Sequence, residues 1–144
     1  MRSNRKKVRY LYKFAQISFK EKMFLLEAVY FLLYFETYLY FASFRSCIKK
    51  LQVRNTEMRD NVELLKTVKV AIRRGNKLAF WDNKCLVCSL AARRMLEKRG
   101  ISSTLHLGVR YASAHEMEAH SWLTVGDFHV TPNTDNSFKE IHQL

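Results

Sequence analysis

Proline and glycine are scarce in this chain: one proline, Pro132, and four glycines in 144 residues. That scarcity excludes a Pro- or Gly-rich linker and leaves mostly regular structure. No internal repeat and no low-complexity tract interrupts it. Cysteine is scarce too, with Cys47, Cys85 and Cys88 only. An odd count with no secretory signal excludes a disulfide framework and suits free thiols in a reducing, cytoplasmic setting. The basic N-terminus is not followed by a cleavable apolar stretch with a small-residue exit. His106, His115, His129 and His142 are scattered, so no metal is expected. Neither zinc-finger spacing nor an aromatic RNA-binding signature is present, so nucleic acid is not an expected partner.

Acidic residues are few, 13 against 25 Lys and Arg, for a net charge of +12. Such an excess points to an anionic partner. Hydrophobic residues make up 48% and aromatics 13%, too many for a disordered chain. The length corresponds to one domain that folds without metal or disulfide. Within it, 1–59 reads as a basic, aromatic-rich helical region and 60–144 as the core of the domain.

Met23 to Phe44 is long enough to span a bilayer, but Glu27 and Glu36 would be costly at that depth. A buried or interfacial helix is the better reading. Leu25, Leu26, Val29, Leu32, Leu33 and Leu39 recur at helical spacing, and aromatics widen the apolar surface to most of the circumference. A helix that apolar needs cover from the protein, a partner or lipid. A second helix fits Asp60 to Arg74, capped by Asp60 or Asn61, striped by Val62, Leu65, Val68 and Ile72, and stopped by Gly75. A third fits Cys85 to Arg99, with Gly100 as its stop.

The period then changes. Leu105, Leu107 and Val109 alternate with His106, Gly108 and Arg110, as in a strand. His120 to Val125 reads as a second strand, and Phe128 to Thr131 returns after a Gly126-Asp127 turn. Helices followed by an antiparallel sheet make an α+β fold, with a nucleophile helix packed on a small antiparallel sheet. Glu116 and Glu118, just before His120, read as a solvated loop.

Cys85 opens the third helix, where the dipole and unpaired N–H groups favour a thiolate. His120, 35 residues later, has the chemistry to take the thiol proton and return it to a leaving amine. Helix-borne cysteine before strand-borne histidine is the order of papain-like and transglutaminase-like enzymes. Cys85 and Cys88 form a C-x-x-C, but no second ligand pair or thioredoxin-like strand accompanies it, so Cys88 reads as a packing residue. Trp122 shares its strand face with His120. From the turn, Val125 should pair with Phe128, and counting outward places His120 opposite Asn133, with Asp135 one diagonal step away.

Four strings together resemble the leader peptidases of lasso-peptide biosynthesis. The run Trp81-Asp82-Asn83-Lys84-Cys85-Leu86-Val87-Cys88-Ser89-Leu90-Ala91 is similar to their nucleophile helix. Leu96-Glu97-Lys98-Arg99-Gly100-Ile101 and Leu105-His106-Leu107-Gly108-Val109-Arg110 follow, and Ala119-His120-Ser121-Trp122-Leu123 resembles the motif of the base. The likeness is close over about residues 60 to 131. It implies a transglutaminase-like thiol protease, without cofactor, that cuts the leader from a ribosomally made precursor peptide before a separate cyclase closes the macrolactam. It also implies a separate leader-binding protein, because a chain of this length has no further domain for that task. The family pattern puts an aspartate a dozen or so residues after the base. Asp135 fits the expected carboxylate and Asn133 the better geometry, asparagine being the orienting residue of papain-like enzymes. Either also reads as a turn residue beside Pro132. Two other functions remain open: acyl transfer on the same fold, and a non-enzymatic basic adaptor.

Overall fold

A computed structural model describes residues 16–43, 46, 61–78, 85–113, 116–133 and 137–144. Helix α1 spans Phe19–Phe41, α2 Val62–Leu78 and α3 Cys85–Glu97. Strands β1 Thr104–Ser113, β2 Glu116–Val125, β3 Phe128–His129 and β4 Lys139–Gln143 follow. The sheet is antiparallel throughout, in the order β3-β2-β1-β4. The α+β order expected from the sequence is the observed one.

Each helix starts and stops for a local reason. Ser18 and Glu21 form a capping box at α1: the Ser18 hydroxyl accepts from the Glu21 N–H, and the Glu21 carboxylate accepts from the Ser18 N–H at 3.1 Å. Asn61 caps α2 by accepting the Leu64 N–H at 3.1 Å. Gly100, at φ 69°, ends α3 in a left-handed turn that lets the Ile101 N–H reach the Leu96 carbonyl at 3.1 Å.

Gly75 does not stop α2, contrary to the expectation from spacing. The helix runs through it to Leu78 because α1 crosses there. A Cβ at Gly75 would sit 3.0 Å from Leu32 Cδ1 and 3.5 Å from Val29 Cγ2. Glycine is present to admit a neighbouring helix, so it marks a packing contact and not an end.

One apolar cluster joins all three helices to the sheet. Phe24, Ala28, Phe31, Leu32 and Phe35 of α1 meet Leu65, Val68 and Ile72 of α2. α3 is the central element, with Val87, Leu90, Ala91, Met95 and Leu96 fully buried. Leu105 and Leu123, directly paired across β1 and β2, close the cluster from the sheet side. The alternate residues of the same strands, His106 paired with Trp122 and Gly108 with His120, lie on the other face. Glu116 and Glu118 are exposed but belong to β2, which corrects the loop expected there. Pairing with β1 extends the strand past the last buried residue, and Glu118 is held by Arg110 at 2.6 Å.

Candidate active site

Cys85 is the first residue of α3 and is partly exposed; residues 81–84 before it lie outside the described residues. One turn later Ser89 is fully buried, and its hydroxyl donates to the Ser121 carbonyl at 3.4 Å. Another turn on, Arg93 donates to the Leu144 carbonyl at 3.1 Å. Leu144 pairs its backbone with Leu105, the partner of Leu123. Helix α3 therefore advances in the same sense as β2, and its N-terminal end lies toward the His120 end of that strand. The His120 ring, however, lies on the sheet face opposite to that of Leu123, and no hydrogen bond among the described residues joins it to Cys85.

Ser89 also meets the Thr131 hydroxyl at 2.9 Å, and Thr131 Oγ1 accepts the Leu123 N–H at 2.8 Å. This buried polar link ties α3, β2 and the returning segment together. Ser89 was not expected as a site residue. The signal available was its place four residues after Cys85, on the same helix face.

The return from the turn departs from a simple ladder. Val125 pairs with Phe128 and Thr124 with His129, as expected. Then the N–H groups of Val130 and Thr131 both reach the Leu123 carbonyl, at 2.9 and 3.3 Å. Two residues against one is a bulge, and it shifts the register by one. Thr131, expected on the face of His120, turns to Ser89 and the helices instead. The extrapolation that set Asn133 opposite His120 fails for the same reason.

The Pro132 carbonyl lies 3.0 Å from Nε2 of the His120 ring. A carbonyl only accepts, so in this contact Nε2 carries the proton. The Oδ1 of Asn133 is buried and has no hydrogen-bond partner among the described residues. Asp135 lies outside the described residues. Phe138 and Trp122 flank the ring, with centroids 5.0 and 6.1 Å from it. Trp122 stacks in turn on His106 at 5.3 Å, and His106 is fixed by Glu140 at 3.1 Å and Thr124 at 2.8 Å. Gly108, opposite His120, leaves the space this stack needs: a Cβ there would lie 2.9 Å from Trp122 Cζ3 and 3.2 Å from Phe138 Cβ.

The two described thiols differ. Burial pushes the Cys88 thiol up to about 11, with smaller contributions in the same direction from Cys85 and Glu36. Cys88 is thus a neutral thiol that packs against the core. Cys85 sits at the positive end of α3. Cys47 lies outside the described residues.

Residues 31–143 match the Transglutaminase-like superfamily. The match covers most of the chain, and the protein belongs to that superfamily. It begins inside α1, upstream of the boundary expected at 59/60, and ends within β4. No curated protein and no solved structure matches the chain significantly. The superfamily is one of thiol enzymes that hydrolyse or transfer acyl groups, and the α+β arrangement of helices and a four-stranded antiparallel sheet is consistent with it.

Proposed function

We propose that the chain is a cysteine peptidase that removes the leader from a ribosomally made lasso-peptide precursor. The observation that carries this reading is the setting of Cys85 at the start of α3, inside a string that resembles the nucleophile helix of those peptidases. The base motif around His120, on the strand to which that helix is tied, supports it.

In this proposal the Cys85 thiolate attacks the scissile carbonyl, and the oxyanion is held partly by the Cys85 backbone N–H. His120, protonated by the thiol, gives that proton to the leaving amine as the C–N bond breaks. Water then gives a proton to His120 and attacks the thioester, and collapse frees the leader's carboxylate while the proton returns to sulfur. Pro132 holds Nε2, and Asp135 is the carboxylate proposed to stabilise the imidazolium. The reaction needs no cofactor. A separate leader-binding protein presents the precursor, and a cyclase consumes the product. Binding the leader away from the scissile bond is how such a partner would raise the rate.

The test is reconstitution of the purified chain with precursor and leader-binding protein, read by mass spectrometry. Leader release with partner present, slow or absent without it, and lost in Cys85→Ala, is the expected result. Amide formation with an added amine in place of hydrolysis would shift the assignment to acyl transfer. Full activity of Cys85→Ala would end both readings.

A further inference from the structure

Helix α1 has two apolar faces, and only one is covered. The inner face is the core face described above. The outer face carries Phe19, Met23, Leu26, Tyr30, Tyr34 and Phe41, and Phe19 and Phe41 are 78% and 81% exposed. These positions fall at helical spacing along one side of the 23-residue helix. Large apolar side chains in a continuous exposed band mark a surface meant for contact.

The charges of α1 are sorted. Glu21 bonds Arg74 of α2 at 3.2 Å. Glu27 pairs with Lys98 at 2.9 Å and Arg99 at 2.5 Å, beyond the end of α3. The Oε2 of Glu36 is buried. All three carboxylates of the helix are thus turned toward the protein or buried, and the outer face keeps no acidic group. Positive charge brackets the helix in sequence. Residues 1–18 contain Arg2, Arg5, Lys6, Lys7, Arg9 and Lys13 with no acid, and residues 42–59 contain five basic residues against Glu57 alone.

From this we infer that the outer face of α1 docks on the surface of an anionic lipid bilayer. The helix lies in the interface with its inner face still packed on α2 and α3. Tyrosine suits that position, its ring in the acyl boundary and its hydroxyl at the headgroups. Tyr30, Tyr34 and Tyr38 stack in a row along the helix, at 6.4 and 6.0 Å between centroids. The positive charge that flanks the helix in sequence, with Lys20 and Lys22 on the helix itself, is what anionic headgroups attract. The net charge of +12 favours that occupant over a second copy of the same cationic chain. The inference is independent of the peptidase reading.

The test is flotation of the full purified chain with vesicles of phosphatidylcholine alone, or mixed with phosphatidylglycerol. The chain should float with the anionic vesicles only, and raising salt from about 0.1 to about 0.5 M should lower the bound fraction. Tyr34→Glu with Phe41→Glu should reduce partitioning at least about tenfold at unchanged thermal stability. Met23→Gln with Phe41→Gln is the milder pair if the first unfolds. No flotation of the wild type overturns the proposal. So does flotation that ignores both pairs. A dimer in solution that these substitutions split, with no lipid binding, would assign the face to a second copy instead.

Discussion

The carbonyl of Pro132 lies 3.0 Å from Nε2 of His120, at a point where the sequence suggested a side chain. The bulge at Val130-Thr131 brings it there by moving the return segment one residue against β2. Backbone therefore supplies one hydrogen bond to the ring, at Nε2.

The orienting residues should respond unequally to mutation. Asp135→Ala should lower turnover at least about tenfold, equivalent to roughly 1.4 kcal/mol of transition-state stabilisation. Asn133→Ala should cost less. Steady-state rates with partner and precursor present decide between them. A larger loss in Asn133→Ala would make the third member papain-like. Near-wild-type rates in both would leave the Pro132 carbonyl as sufficient support for a Cys85–His120 dyad.

The thiols should separate by reactivity. Cys88, at about 11, is thiolate at only about one part in a thousand at pH 8. Peptide mapping after brief iodoacetamide treatment should find Cys85 modified well before Cys88. Cys88→Ala should keep the catalytic rate while lowering the melting temperature. Preferential modification of Cys88 would contradict the assigned burial.

Gly108 should not tolerate a side chain. Its absent Cβ is what lets Trp122 lie between His106 and His120. Gly108→Ala is expected to destabilise by about 1–3 kcal/mol through overpacking and to displace the ring stack. Thermal unfolding reads the first effect. Near-ultraviolet circular dichroism of the Trp122 signal, against Trp81, reads the second.

Glu27 should make stability depend on pH. Burial pushes its carboxyl up, but hydrogen bonds from Arg99 and Lys98 outweigh that and hold it below the ordinary value of 4.5. A carboxyl lowered in the folded state stabilises fully above its unfolded pKa, and that contribution fades as pH falls through the folded one. Glu27→Gln should cost about 1–2 kcal/mol at neutral pH. The difference from wild type should narrow below about pH 4.5. An equal gap at pH 7 and pH 3 in denaturant titrations would remove the pair as the cause.

Much of this protein was readable from local chemistry. The caps at Asn61 and Gly100, the helix opening at Cys85, the change of period after residue 100 and the Gly126-Asp127 hairpin depend on neighbours in sequence. Propensity and turn geometry act at that range. The resemblance at the cysteine and histidine motifs pointed to the superfamily that the chain matches. Tertiary structure decided the rest. The apolar residues of α1 surround the helix, so periodicity could not tell that Leu25 and Leu32 face the core while Leu26 and Leu33 face outward. Only packing against α2 and α3 breaks that symmetry. Gly75 looked like a stop because local sequence carries no sign of the helix that crosses it. Strand β4 pairs with β1, over thirty residues distant in sequence, across a register no local pattern encodes. The bulge beside His120 is the sharpest case. A single inserted residue exchanges the two faces of a strand, because side chains alternate with a period of two. Its position follows from Thr131 satisfying Leu123 and Ser89 at once, a requirement that exists only once α3 has docked on β2.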